Sequence, residues 1–158
     1  DPRSSLLTAP WGLYIARQIM GSDYYGWKAP GPARSYWYTS YRIEGLCTLK
    51  SMIDCTMNEA MFSKITDPVL MLYYYRDEDN QDRIVSVDRM KEMFLQLGTP
   101  DNLKRAIAIE DAGTHIIGSD IFNPNIQTVW SPIVAFCEEV LHLTAVNQTD
   151  WKPFLDRG

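Results

Sequence analysis

The sequence predicts an α/β fold built around a parallel βαβ unit, and three features point to it. A continuous apolar and aromatic run, PVLMLYYY, is entered through Pro68; a helical pattern, VDRMKEMFLQLG, follows; a second apolar run, KRAIAIE, comes after that. The two runs lie about 30 residues apart, the separation a parallel crossover needs, and such crossovers are right-handed.

The elements ahead of this unit are expected to be helical. Residues 9–21, APWGLYIARQIMG, have Pro10 at a helix start, Gly21 as a stop, and Trp11, Tyr14, Ile15 and Ile19 on one stripe. Residues 22–38, SDYYGWKAPGPARSYWY, place Gly and Pro among six aromatic side chains and read as an ordered loop. A longer helix over 41–57 follows, with Ile43, Leu46, Leu49 and Ile53 at three- and four-residue spacing. Asn58 then caps a short helix, NEAMFSKI.

The chain changes character near residue 66. The run over 67–75 has the continuous hydrophobicity of a strand buried on both faces. RDEDNQDRIVS is a polar loop, and the helix after it is closed by Gly98, with Met90, Met93, Phe94 and Leu97 on one stripe. After the second strand, His115 follows Glu110 by five residues in IEDAGTHII. Residues 125–143 form a closing helix, bent at Pro132, and the tail from Thr144 has no periodicity. The expected division is therefore 1–66 helical, 67–143 α/β, and 144–158 tail.

Composition excludes several functions. A formal charge of −5, with the lysines and arginines scattered, argues against nucleic acid as a partner. No apolar stretch approaches the roughly 20 residues of a membrane span. Cys47 and Cys55 are eight residues apart on one helix, and about 12 Å along it is too far for a disulfide. Buried free thiols, and with them a reducing compartment such as the cytoplasm, are the expectation. The acidic run Asp77–Asp79 lacks the ligand spacing and glycine of a calcium loop and reads as a solvated face.

Two parallel strands do not make a stable sheet alone. A start at Asp1, without an initiator Met, reads as processed, engineered or cut from something longer. The edge of the strand at 68–75 is expected to be covered by missing N-terminal sequence, a second chain or a self-dimer.

In open α/β sheets, functional groups collect beyond the carboxyl ends of the strands. Here an acid loop follows the first strand and a histidine loop the second, which puts a carboxylate beside an imidazole. The ordered set PVLMLYYY, DRIVSV and AIAIEDAGTHII resembles the C-terminal half of the α/β-hydrolase family, whose chain order is nucleophile, acid, histidine. The resemblance covers residues 1–143. It implies an incomplete α/β-hydrolase fold: a helical cap over 1–66, then the last two strands. It implies Asp82 as the triad acid, in an Asp-x-x-Val pattern ending at Val85, and His115 as the triad histidine, acting on a small-molecule ester or related acyl substrate. It implies no cofactor and no metal.

The sequence departs from the family in three places. The acid loop is long and offers Asp79 as a second candidate; Thr114 stands between Gly113 and the histidine; and no G-x-S-x-G elbow occurs in the chain. The nucleophile and oxyanion donors are therefore expected upstream, and this chain alone is expected to be inactive. The alternative is a binding or scaffold module that keeps the fold without the chemistry. Most of the aromatic and methionine side chains of 1–66 are expected to pack the cap onto the main domain, and a few of them would also face substrate.

Overall fold

The computed structural model describes residues 7–29 and 31–144. The chain divides into two compact units, Asp1–Lys64 and Ile65–Gly158. The tail from 145 onward lies outside the described residues.

In the first unit, helix α1 (Gly12–Met20) ends where Gly21 takes the left-handed conformation, φ 62°, and donates its N–H to the Gln18 carbonyl. That conformation is cheap only without a Cβ, which is why glycine stops the helix here. Helix α2 (Ile43–Thr56) packs against α1 and buries Ile43; the short α3 (Glu59–Phe62) starts at Asn58, whose side chain accepts from the Met61 N–H. An ion network ties α1 to the start of α2: Arg17 pairs with Asp23 (2.8 Å) and Glu44 (2.5 Å), and Arg42 with Glu44 (2.6 Å).

Two expectations for this unit are corrected. The aromatic segment is not simply a loop. Strands β1 (Tyr24–Gly26) and β2 (Ser40–Arg42) pair antiparallel, with Tyr25 opposite Tyr41, and the chain between them includes a 3-10 turn, Pro32–Ser35. Strands of three residues are too short to show an alternation in sequence, and the surrounding Gly and Pro mask them. The stripe Trp11, Tyr14, Ile15, Ile19 is exposed, as are Leu49 and Ile53 of α2. The three cysteines are free, but Cys55 is exposed and Cys47 and Cys137 are only half-buried.

The second unit holds strands β3 (Val69–Tyr74) and β4 (Lys104–Ile109), paired parallel from Val69–Lys104 to Tyr74–Ile109. Helix α4 (Val87–Gln96) joins them, and helix α5 (Gln127–Glu139) closes the unit. Strand alternation assigns the faces. Leu72, Tyr74, Ile107 and Ile109 pack with Val129, Ile126 and Ile133 at α5. Tyr73 and Tyr75 point the other way, where Lys91 of α4 lies 5.9 Å and 4.4 Å from their ring centroids. Helices thus cover both faces of a two-stranded parallel sheet, a three-layer α/β/α arrangement. The buried hydroxyl of Thr99 locks the α4–β4 connection to the chain entering β3 by donating to the carbonyls of Asp67 (2.8 Å) and Ile65 (3.1 Å).

Three details differ from expectation. Only Met71 of β3 is buried and the rest are half-buried, because each strand has a neighbour on one side alone among the described residues. Helix α4 ends as Leu97 turns extended, φ −62° and ψ 134°, so Gly98 plays no left-handed capping role. Helix α5 spans Gln127–Glu139 and carries Pro132 within it, leaving His142 beyond the helix at φ 53°. No helix among the described residues is long and apolar enough to cross a membrane.

Thr99→Val should lower the unfolding free energy of the second unit by about 1–2 kcal/mol, since two carbonyls lose a buried donor. Leu95→Ala, at a position 79% exposed, should stay within about 0.5 kcal/mol; denaturant titration separates the two. In the first unit, the Arg42 hydrogen bond, a bond from its own backbone and the charge of Arg17 hold the Glu44 carboxyl at about 2, against an ordinary 4.5. A depressed folded value means that the stabilisation is full above the unfolded value and fades as pH falls from 4.5 toward 2. Arg42→Gln should raise the Glu44 midpoint, which a carbon-detected NMR titration reads directly.

Candidate functional site

The parallel register brings the ends of β3 and β4 level, so the chains leaving Tyr74 and Ile109 emerge at one edge of the sheet. The first of these forms a closed excursion. Tyr75 and Gln81 meet as an antiparallel bridge, and Arg76 N–H donates to the Asn80 carbonyl (2.9 Å). Inside the loop, Asp77 accepts from the N–H groups of Asp79 and Asn80 and from the Asn80 amide. The Asn80 amide is the main reason that the Asp77 carboxyl is held below its ordinary range. Glu78 accepts from the Tyr75 hydroxyl (3.1 Å), and this bond raises the Tyr75 phenol above its usual value.

The excursion delivers Asp82 back to the strand end, where its N–H donates to the Tyr74 carbonyl (3.1 Å). Asp82 is 9% exposed, and its Oδ1 accepts from the N–H groups of Ile84 (2.8 Å) and Val85 (2.9 Å). The Asp-x-x-Val spacing therefore has a local cause: the aspartate closes the turn that ends at Val85, and Ser86 then caps α4 through the Arg89 N–H. Oδ2 takes no hydrogen bond among the described residues. Asp79 is exposed, and its carboxylate makes no such turn.

The chain leaving β4 is held from below. Ala112 is buried with Ile109 and Val129, and Gly113 turns the chain at φ 64°. Thr114 Oγ1 accepts from the Ile116 N–H (3.2 Å), forming a tight turn around His115, and Ile117 returns to the apolar cluster. This gives the residue that separates the glycine from the histidine a definite job. His115 itself is exposed at the tip.

Asp82 and His115 thus stand beyond the carboxyl ends of adjacent parallel strands, in loops at the same edge. Among the described residues no hydrogen bond or ion pair joins them. What does join the two loops is Arg76 to Asp111, at 2.8 Å between exposed side chains.

Asn123 is a residue the sequence reading missed. It is fully buried, at 0% exposure; its amide donates to the Ile117 carbonyl (2.8 Å) and its oxygen accepts from the Asn125 N–H (2.9 Å). It pins the end of the histidine loop to the approach to α5. The available signal was the Asn-Pro-Asn stretch at 123–125, a strong turn sequence. The Arg76–Asp111 pair had no comparable signal, since its partners lie 35 residues apart.

Among the described residues no group of three or more His, Cys, Asp or Glu side chains is arranged to hold a metal ion. Compared with known proteins, the chain matches no family model, no curated protein and no solved structure.

The two loops should respond differently to substitution. Asp82→Ala should cost about 1–3 kcal/mol, because two N–H groups lose their acceptor, whereas Asp82→Asn keeps an oxygen for them and should fold normally. His115→Ala should leave the thermal midpoint unchanged. Asn123→Ala should cost about 1–3 kcal/mol and, in amide hydrogen exchange, raise the rates at residues 114–118 beyond those of the sheet.

Proposed function

We propose that residues 67–143 form the C-terminal part of a serine hydrolase of the α/β-hydrolase type, acting on an ester or related acyl substrate. In this reading His115 is the general base and then the general acid, and Asp82 fixes its tautomer and stabilises its charged form. The observation that carries the proposal is the state of Asp82. A largely buried carboxylate with one oxygen saturated by two backbone N–H groups keeps its other oxygen for a donor, and the nearest functional loop on the neighbouring strand carries a histidine. Asp79 has neither the burial nor the turn, which favours Asp82 as the acid. Residues 1–66 correspond in this reading to the helical cap. The nucleophile and oxyanion donors come from sequence upstream, and the same sequence, or a second copy of the chain, supplies the strand that pairs the open sheet edge.

A single observation favours a second reading, a binding or scaffold module that keeps the fold without catalysis: His115 makes no hydrogen bond among the described residues. Substitution separates the two. In a form of the protein carrying the preceding sequence, His115→Ala should abolish ester hydrolysis and labelling by a fluorophosphonate. Asp82→Asn should lower turnover by roughly a thousandfold or more while the protein stays folded. Full activity in His115→Ala would overturn the assignment, and a turn upstream without a serine, cysteine or aspartate nucleophile would support the scaffold reading.

A further inference from the structure

We propose that the first unit carries a binding groove for a small aromatic carboxylate, formed by the connection between β1 and β2. The groove has a volume of about 400 Å³ and is lined by Trp27, Trp37 and Tyr38, by the buried Ala29, and by Lys28 and Arg34. That volume is at the small end of ligand sites and suits a body of about two fused rings.

The walls are aromatic, and the Trp27 ring is held in place. Trp27 and Trp37 have ring centroids 5.6 Å apart at an interplanar angle of 44°, a tilted pair. The Trp27 indole N–H is already engaged with the Tyr38 carbonyl and the Tyr41 hydroxyl, both at 3.1 Å. Those bonds fix the ring's orientation and leave its π surface, rather than its N–H, for a guest. An apolar ring laid against such a pair gains area burial and edge-to-face contact.

Charge selects an anion. The chain carries a net −5, yet residues 1–64 hold seven Lys and Arg against five Asp and Glu. Within this unit Asp23 and Glu44 are taken by Arg17 and Arg42, and Asp54 by Lys50. The side chains of Lys28 and Arg34 take part in no ion pair or hydrogen bond among the described residues. Two uncompensated cations beside two indoles match a ligand with a planar apolar body and a carboxylate, to which the arginine fork donates two parallel N–H bonds.

Every residue of this groove belongs to the first unit, so the proposal is independent of Asp82 and His115. Its test reads binding, not hydrolysis. Proton–nitrogen NMR of the whole chain follows the two indole N–H signals, assigned with Trp27→Phe and Trp37→Phe, during titration with 2-naphthoate and, separately, with neutral 2-naphthamide. Saturable shifts of both signals are expected with 2-naphthoate, and at least about tenfold weaker binding of 2-naphthamide. Lys28→Gln and Arg34→Gln, both at exposed positions, should each weaken 2-naphthoate binding by about two- to fivefold. Equal binding of the amide, unchanged affinity in both variants, or no movement of either indole signal would overturn the proposal.

Discussion

The parallel pairing of Val69–Tyr74 with Lys104–Ile109 is the constraint on which the second unit depends. A parallel pair cannot be closed by a tight turn, so the chain must travel back along the sheet, and α4 is that return. The alternation of the strands then assigns one face to α4, through Lys91 and the tyrosines, and the other to α5, through Leu72, Tyr74, Ile107 and Ile109. The same pairing sends both outgoing loops to one edge. A slip of one residue would invert every strand side chain and separate α5 from its apolar partners.

The loops at that edge are stabilised in different ways. The acid loop is self-contained, with an excursion closed by Asp77 and Asn80, a bridge from Tyr75 to Gln81, and a turn closed by Asp82. The histidine loop is supported from outside, by Ala112 and Ile117 in the apolar cluster and by the buried Asn123. Local hydrogen bonds set the position of the carboxylate, while core packing sets that of the imidazole backbone. Stiffness at both ends is what the proposed pair would require, since misplacement by a fraction of an ångström weakens proton transfer.

Much of this was legible in the sequence wherever period and length were sufficient. Both parallel strands, the helix between them, the Gly21 stop and the Asn58 cap follow from apolar pattern and cap chemistry. The short ladder of Tyr24–Gly26 with Ser40–Arg42 was not, because three-residue strands carry no period and their pairing partner is remote. The stripe of Trp11, Tyr14 and Ile19 is exposed, since an apolar stripe specifies a face but not what covers it. At the candidate site, Asp82 and His115 stood out through residue type and loop position. Asn123 did not, because an asparagine near a proline reads as a surface turn until its burial is known.

The turn closed by Asp82 has a consequence for how such a chain changes over many generations. The aspartate serves the fold at Ile84 and Val85 whatever the histidine does, so selection for folding alone would retain it. His115 is exposed and bonded to nothing among the described residues, so folding alone exerts no pressure to keep it. In a lineage that gave up chemistry, the imidazole would drift first and the carboxylate would remain as a relic of architecture. Across descendants of this chain, the fate of position 115, more than that of position 82, would record whether catalysis was ever worth preserving.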